Sequence, residues 1–377
     1  MELTAAQEES RAAFRAFVDA EVAPHADRFD REERLPPELV KEAARQGYLG
    51  ALLPAEVGGA GMDAVTFGLL NEEVGRGCSS LRSLLTVHGM VARTLYRWGG
   101  QEQKRRWLSP LASGAAVAAF ALTEPEAGSD AQSITTSATP LADSYRLDGR
   151  KRWVTFGQVA DLFLVFARCE SQPAAFLVER GRPGLHVEPI RGVLGTRASM
   201  LAELTFEDCR IPKENLVGRV GFGLSPVASS ALDYGRYSVA WGCVGIAQAC
   251  REASLKYAGE RRQFGVYLKE HQLIQRMLTG MIVNVKAARL LCHQAGLLRD
   301  KGDPQSVTET FVAKYFAAKT ATRAAADAVQ LHGANGCGGD YPVQRYLRDA
   351  TIMEIIEGST QVQETTIARI ACQESGF

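Results

Sequence analysis

A single carboxylate near the end of the chain, Glu357, has neighbours that would suit acid–base chemistry. It lies in the stretch MEIIEGSTQ, directly after Ile355 and Ile356 and directly before a glycine. Apolar neighbours that exclude water make a carboxylate more basic, as a general base must be. The alternative is an acid that stabilises a helix dipole, since Thr360-x-x-Gln363 has the capping-box pattern that opens a helix.

Two further stretches have the composition of ligand contacts. The loop FALTEPEAGSDAQS (120–133) could aim backbone N–H groups and hydroxyls at an anion such as a pyrophosphate, although Glu-Pro and Gly-Ser also form ordinary turns. In RKRWVTF, Trp153 and Thr155 are two residues apart on a predicted strand and would share a face. That face suits a flat heteroaromatic ligand, and a tryptophan half-buried between sheet and helices is the alternative.

Two more stretches are ambiguous alone. In ERRQFG, Arg261 could meet a phosphate and Phe264 could stack on a ring, but a charged helix end gives the same pattern. The stretch QLHGANGCGG (330–339) resembles a glycine-rich nucleotide fingerprint, which needs a preceding strand. A helix is predicted before it, so a Rossmann fold is not expected here.

The periodicity of apolar residues divides the chain into three domains. Residues 1–116 are predicted to be helical, 117–225 mainly β, and 226–377 a helical bundle, with helices over 229–259, 272–300, 305–333 and 360–372. Within the β part, Asp148-Gly149 predicts a tight hairpin turn of type I′. Because strands do not alternate with helices, a doubly wound nucleotide-binding fold is disfavoured.

Composition excludes several classes of function. Lys+Arg and Asp+Glu both number 43, so no net charge attracts nucleic acid or an anionic membrane. The N-terminus lacks the pattern of a signal peptide, and no apolar run is long enough to span a bilayer. The eight cysteines include no Cys-x-x-Cys pair. They predict reduced thiols of a cytoplasmic protein and no metal site.

Five motifs in order, ALTEPEAGSD, RKRWVTFG, ERRQFG, QLHGANG and IIEGSTQVQ, resemble the flavin-dependent acyl-CoA dehydrogenase family along essentially the whole chain. The resemblance implies a mainly α fold: a helical N-terminal domain, a β-barrel-like middle domain and a C-terminal four-helix bundle. It also implies FAD at the interface of a homodimer or dimer of dimers, an acyl thioester substrate and an electron acceptor that the sequence does not identify.

Carried over position by position, the resemblance implies three groups of FAD contacts. The first comprises Phe120, Leu122, Thr123, Gly128, Ser129, Trp153 and Thr155. The second, which would reach the FAD of a neighbouring subunit, comprises Arg261, Gln263, Phe264 and Gln272. The third comprises Gln330, Leu331, His332, Gly333, Ser359 and Gln361, with Ala334 at a position where glycine is common.

Glu357 matches the family's catalytic base, and Arg236 is implied to orient it. In this mechanism Glu357 removes the proton at C2 of the acyl group while hydride leaves C3 for the flavin. The substrate contacts implied by the same comparison are Arg82, Ser129, Asp233, Arg236 and Gly358.

Two stretches, CSSLRSLLTVHGM (78–90) and YGRYSVAWGCVGI (234–246), resemble a narrower subgroup. Its members act on acyl groups bound to acyl carrier protein, in the biosynthesis of hydroxymalonyl or methoxymalonyl polyketide extender units. Arg82 would then lie along the acyl chain and suit a short polar acyl group, unless it faces solvent. In this pathway Glu357 could instead deprotonate a hydroxyl while a hydrated C3 aldehyde is oxidised.

Three alternatives stay open at this point. The chain could be a catabolic short-chain acyl-CoA dehydrogenase that desaturates its substrate. It could belong to the monooxygenase branch of the same fold, or it could keep the fold without catalysis.

Overall fold

The first part of the chain is helical. The computed structural model describes residues 2–374, and its first helix begins at a capping box formed by Thr4 and Gln7. Six α-helices form this part: α1 (Ala5–Phe17), α2 (Ala26–Glu32), α3 (Pro37–Arg45), α4 (Ala64–Gly77), α5 (Ser79–Trp98) and α6 (Gln101–Ser113). Nearly every residue of α4 is buried, because helices pack around it on all sides.

The middle of the chain forms one eight-stranded sheet. Its strands are β1 (Ala118–Ala121), β2 (Ser137–Pro140), β3 (Ser144–Val154), β4 (Leu162–Cys169), β5 (Gln172–Glu179), β6 (Leu185–Pro189), β7 (Ala202–Pro212) and β8 (Leu216–Val217). The order is β6-β7-β3-β2-β4-β5-β8, and β1 pairs in parallel with β4. β4 is buried on both faces, so it carries a continuous apolar run.

The predicted hairpin turn at Asp148-Gly149 is wrong. Both residues lie inside the continuous strand β3, which pairs with β2 and β7. A type I′ turn needs a positive φ at both residues, and only Gly149 has one, at 144°. The register with β7 shifts there, and Asp148 Oδ1 accepts a hydrogen bond from the N–H of Asp208 at 2.9 Å. The pair therefore marks a β-bulge rather than a turn.

The last part of the chain is helical again, and the four predicted helices are confirmed to within one or two residues. The elements are α7 (Ser229–Glu260), β9 (Arg262–Gln263), β10 (Val266–Tyr267), α8 (Gln272–Asp300), α9 (Ser306–His332), α10 (Val343–Met353) and α11 (Thr360–Glu374). The short strands β9 and β10 pair with each other between α7 and α8.

Helices from both ends of the chain share one large apolar core, and the sheet contributes to two others. Close contacts of α7 with the N-terminal helices depend on glycine. A Cβ on Gly75 of α4 would lie 2.7 Å from the carbonyl oxygen of Gly242 in α7. α7 therefore packs close to α4 and α5, and the catalytic candidates lie where these helices meet the sheet.

Six of the eight cysteines are buried, Cys337 and Cys372 are exposed, and all eight are free thiols. Across residues 2–374 the structure has no cluster of side chains suited to a metal ion. None of the described helices combines the length and the apolar character needed to cross a membrane.

Candidate active site

A cavity of about 670 Å³ lies between the helices and the sheet. One wall is formed by α5 and α7, a second by the loop after β1 and the end of β3, and a third by the segment between α10 and α11. Twelve of the predicted site residues line it: Arg82, Phe120, Leu122, Thr123, Gly128, Ser129, Trp153, Thr155, Arg236, Glu357, Gly358 and Ser359.

Glu357 lies in a strained turn between α10 and α11. Its φ is 55°, in the left-handed region, and Gly358 follows with a φ of 88°. A left-handed conformation is unfavourable for a residue with a side chain, so the surroundings must hold it. Gln363 Nε2 donates to the carbonyl oxygens of Glu357 (3.2 Å) and Gly358 (3.0 Å), and Lys314 Nζ donates to that of Gly358 at 2.7 Å.

The predicted capping box at Thr360 and Gln363 is wrong. Ser359 Oγ accepts the N–H of Val362 at 3.3 Å, so Ser359 caps α11. Thr360 Oγ1 instead donates to Glu354 Oε2 at 3.0 Å. The side-chain amide of Gln363 donates to the carbonyl oxygen of Glu357 in the turn. The side chains thus secure the turn that carries Glu357 rather than the helix end alone.

The Glu357 carboxylate is poorly solvated. Its Oε2 atom is buried and has no hydrogen-bond partner among the described residues. Burial raises the pKa of Glu357 to about 7, although the cations Arg236, Lys314 and Arg82 pull it the other way. The carboxyl group therefore gains or loses its proton near neutral pH, as a general base requires.

The expected shielding of Glu357 by the two preceding isoleucines is only partly correct. Ile355 is 62% exposed, and Ile356 alone packs on the helical core. Desolvation comes instead from α7, where Gly235 leaves room for the carboxylate. A Cβ at Gly235 would lie 2.2 Å from Glu357 Oε2.

Arg236 and Asp233 have different surroundings although both are on α7. Arg236 lines the cavity with its guanidinium 4.6 Å from the centroid of the Phe311 ring, and its Nε atom has no partner among the described residues. Asp233 forms an ion pair with Arg299 at 2.6 Å and is not part of the cavity lining. The structure therefore brings Arg236, but not Asp233, to Glu357.

The loop after β1 is fixed by a buried ion pair that the sequence did not reveal. Lys151 Nζ donates to Glu124 Oε1 at 2.7 Å and to the carbonyl oxygen of Leu122 at 3.0 Å. Glu124 also accepts the backbone N–H groups of Thr135 and Thr136. These bonds hold both ends of the loop, and the pKa of Glu124 is lowered to about 2 by Lys151 and the other donors in spite of its burial.

Trp153 and Thr155 both line the cavity, but not through simple strand alternation. Trp153 has a φ of 61°, the register with β7 shifts between Lys151 and Val154, and Thr155 lies beyond the end of β3. The irregularity turns both side chains to the cavity and leaves the indole 49% exposed. A half-exposed aromatic ring beside a hydroxyl fits a flat ring such as that of a flavin.

Besides Asp233, nine predicted residues lie outside the cavity lining. Seven of them are exposed: Arg261, Gln263, Phe264, Gln272, Gln330, Gly333 and Gln361. The other two, Leu331 and His332, are buried, and the His332 ring stacks on Tyr257 with centroids 4.2 Å apart. Phe264 is 94% exposed, with a φ of 53°.

Sequence reasoning missed Lys314, Gly235, Lys151 and Glu124, and it assigned Gln363 to a capping box instead of to the turn at Glu357. In the linear sequence Lys151 stands between two arginines, and nothing there marks it as buried. Lys314 resembles an ordinary polar residue of a helix. The roles of these residues depend on contacts with residues that are distant in the sequence, as for Lys314 and Lys151, or on the other side of a turn, as for Gln363. The periodicity of the sequence does not predict such contacts.

Comparison with known families gives matches along the chain. Family models of the acyl-CoA dehydrogenase N-terminal, middle and C-terminal domains match residues 4–115, 119–209 and 223–372. The short-chain specific acyl-CoA dehydrogenase of Rattus norvegicus mitochondria is 37% identical, over 98% of this chain and 90% of that protein. The short-chain specific enzyme of Clostridium acetobutylicum is 38% identical, over 97% and 98%.

Solved structures agree with these matches. A glutaryl-coenzyme A dehydrogenase in complex with glutaryl-CoA superimposes with a TM-score of 0.95 at 33% identity, covering 100% of this chain and 96% of that one. A glutaryl-CoA dehydrogenase from Mycobacterium smegmatis in complex with FADH2 gives 0.93 at 29%, covering 98% and 95%. FkbI, for biosynthesis of the methoxymalonyl extender unit of the Fk520 polyketide, gives 0.88 at 34%, covering 96% and 99%.

The fold, the cavity beside Trp153 and the three consecutive family matches lead to one conclusion. The chain is an oxidoreductase of the FAD-binding acyl-CoA dehydrogenase family.

Proposed function

We propose that the protein dehydrogenates a short acyl thioester and that Glu357 is its catalytic base. The observation that supports this most strongly is the buried Oε2 atom of Glu357 in the wall of the cavity, which has no hydrogen-bond partner among the described residues. Glu357 takes the C2 proton, and a C2=C3 double bond forms as hydride leaves C3. FAD, when bound, supplies the two-electron acceptor for that hydride.

The residues around Glu357 support a base of this kind. Gln363 and Lys314 hold the backbone of the turn, so the carboxylate keeps a fixed position. Arg236 lies on the adjacent wall and lowers the pKa of Glu357, which keeps a fraction of the carboxylate ionised in spite of its burial. Arg236 is therefore proposed as a positioning and charge-balancing residue rather than as an acid.

The test is Glu357→Gln, which removes the base and preserves the shape of the side chain. We expect the variant to keep FAD and to lose anaerobic flavin bleaching by a saturating acyl thioester by more than about a hundredfold. The matched control is Glu364→Gln, at an exposed position of α11. Bleaching of Glu357→Gln at a rate close to wild type would reject Glu357 as the base.

Two carriers of the acyl group are candidates. Coenzyme A is favoured by the curated relatives, which are named short-chain acyl-CoA dehydrogenases. Acyl carrier protein is favoured by the likeness to FkbI and by the stretches at 78–90 and 234–246, and it would place the reaction in polyketide extender-unit biosynthesis. Turnover of matched CoA and carrier-protein thioesters distinguishes them: a clear preference for CoA supports catabolic desaturation.

The exposed residues outside the cavity are proposed to contact the FAD of a second copy. Phe264 is 94% exposed on the β9–β10 hairpin, an unfavourable position for a phenyl ring in water. Arg261, Gln263 and Gln272 lie next to it in the chain and are exposed as well. A homodimer or a dimer of dimers would cover this group. A monomeric holoenzyme in analytical ultracentrifugation would contradict this proposal.

A further inference from the structure

The loop between β6 and β7, residues 190–201, forms a part of the cavity wall that contains none of the predicted site residues. It contributes Val193, Leu194, Gly195, Thr196, Ser199 and Leu201 to the lining. Thr196 has a φ of 48° and Met200 a φ of 46°. A positive φ is unfavourable for residues with side chains and most of all for a β-branched one, so contacts outside the loop must hold this conformation.

Helix α10 supplies contacts of this kind. Asp349 Oδ1 accepts the N–H of Thr196 at 2.6 Å, and Arg348 Nη1 donates to the carbonyl oxygen of Leu194 at 3.0 Å. A Cβ on Gly195 would lie 2.3 Å from the carbonyl oxygen of Arg348, so the backbones of the loop and the helix touch. Asp349 is 3% exposed, and its bond to the loop is therefore shielded from water.

A second anchor acts on the outer part of the loop. Glu33, just after α2, accepts the N–H of Gly192 at 3.2 Å and forms an ion pair with Arg197 at 2.6 Å. Neither Gly192 nor Arg197 lines the cavity. The part of the loop that does line it is therefore held by α10.

The other side of the same loop holds the segment that follows β3. The carbonyl oxygen of Ser199 accepts the N–H of Phe156 at 2.8 Å, and that of Met200 accepts the N–H of Gln158 at 3.2 Å. Phe156 is fully buried and directly follows Thr155. The loop thus fixes the backbone next to the hydroxyl that faces the cavity.

The two sets of bonds connect opposite parts of the site. α10 ends at Met353, and the turn that carries Glu357 follows it directly. A shift of the loop along α10 would therefore change the distance between Glu357 and the wall formed by Trp153 and Thr155. A displacement of about 1 Å between reacting groups can lower a rate by about a hundredfold.

Asp349 is not the close partner of either arginine on α10. Arg348 forms an ion pair with Asp30 at 2.6 Å, and Arg345 forms one with Asp27 at 2.7 Å. Asp349 lies 4.0 Å from Arg345. Its closest polar contact among the described residues is therefore with the loop and not with a cation.

We propose that Asp349 is a positioning residue that holds the β6–β7 loop on α10 and thereby fixes Trp153 and Thr155 relative to Glu357. This role rests on the proposed function, in which Glu357 and the flavin act on neighbouring carbons of one acyl group. Asp349 itself is not part of the cavity lining, so it acts through the loop.

The test compares two substitutions of Asp349 in the holoenzyme. Asp349→Ala removes the acceptor for the N–H of Thr196, whereas Asp349→Asn keeps the shape and a carbonyl oxygen at the same place. Hydrogen–deuterium exchange is followed in peptides covering residues 154–160 and 194–200, and flavin bleaching is measured anaerobically with saturating butyryl-CoA. We expect Asp349→Ala to keep FAD, to exchange at least about tenfold faster in both peptides, and to bleach about 10- to 100-fold more slowly. Asp349→Asn should stay within about threefold of wild type in both measurements.

The matched control is Asp27→Ala, which breaks the ion pair between α2 and α10 and leaves the loop contacts intact. We expect it to lower stability and to leave exchange in the two peptides and bleaching within about threefold. Gly195→Ala is a second variant for the case that Asp349→Ala does not fold. Its Cβ would push the loop away from the Arg348 carbonyl and should reproduce the effects of Asp349→Ala.

Two results would overturn the positioning role. One is wild-type exchange of residues 154–160 in Asp349→Ala and Gly195→Ala, and the other is an Asp349→Asn variant as impaired as Asp349→Ala. If the exchange pattern is as expected and no acyl thioester bleaches the wild-type flavin, the proposed function fails while the link between α10 and the Thr155 segment stands.

Discussion

Two buried arginines on adjacent helices have opposite surroundings. Arg76 on α4 is 8% exposed and forms ion pairs with Glu73, Asp19 and Glu252, so its pKa is raised. Arg82 on α5 is 1% exposed and forms none in the described structure, and burial lowers its pKa. Complete pairing characterises a residue that stabilises the fold. Arg82 lines the cavity, and its hydrogen bonds go to Thr86, Ser83 and Met353 instead of to carboxylates.

The comparison extends to the regions around the two residues. Around Arg76, Glu72 and Glu73 also bind Arg11 and Arg289, and the network joins α1, α4, α7 and α8. Around Arg82, hydroxyls and a thioether take the place of carboxylates. In the first region the charged side chains therefore pair with one another between packed helices. In the second region the guanidinium of Arg82 lies at the cavity with no carboxylate partner in the described structure.

The largest expected effect that separates the two regions is on stability. Arg76→Met removes the cation that pairs with Asp19, Glu252 and the 1% exposed Glu73, and Arg11 stays as a partner of Glu73 at 3.2 Å. We therefore expect a loss of about 3 kcal/mol in the free energy of unfolding, the lower end of the cost of breaking a buried ion pair. Arg82→Met removes an unpaired charge and should be neutral or stabilising. Denaturant unfolding of both holoenzyme variants measures this. Comparable destabilisation by Arg82→Met would show that Arg82 is structural.

A smaller effect is expected from crowding the base. In Gly235→Ala the new Cβ would displace the Glu357 carboxylate, and we expect flavin bleaching to slow by about a hundredfold with FAD retained. Gly259→Ala is the matched control on the same helix, since its Cβ would meet nothing within 4 Å. Unchanged bleaching in Gly235→Ala would show that the carboxylate does not need this position.

The smallest expected effect is a shift in pH dependence. The base must be ionised, and its pKa is about 7, so the bleaching rate should rise as pH increases through neutrality. Lys314 lowers that pKa, so Lys314→Met should move the midpoint to higher pH. The charged groups facing Glu357 are Arg236 on α7, Lys314 on α9 and Arg82 on α5. A rate profile of Lys314→Met with an unmoved midpoint would contradict this electrostatic account.

Helices and the site differ in how far the sequence predicts them. The 3.6-residue period of α7, α8 and α9 identifies these helices to within one or two residues, because each buries one continuous face or more. Asp148-Gly149 was misassigned because a glycine with positive φ serves a bulge as well as a turn. The conformational preference of Asp-Gly does not show that neighbouring strands pair with the chain on both sides of it, as β2 and β7 do with β3.

Within the site, the sequence predicts which residue types could act in chemistry. It does not predict the contacts and the backbone conformation that hold these residues in place. Glu357 and Trp153 stand out by type and by neighbours, and both line the cavity. The left-handed backbone of each, and the bonds from Lys314 and Gln363 to the turn, arise from tertiary packing. For the same reason the sequence raises the expectation that Arg82 lies along the acyl chain, and it does not show that the guanidinium has no carboxylate partner among the described residues.

The most direct test of the central claim is exchange of the C2 hydrogen in D2O. Butyryl- and glutaryl-CoA are incubated with holoenzyme whose flavin has been chemically reduced beforehand, so that no hydride can be accepted. If Glu357 is the base, wild type and Glu364→Gln incorporate deuterium at C2, and Glu357→Gln does so more than about a hundredfold more slowly. Equal exchange by Glu357→Gln would contradict the account.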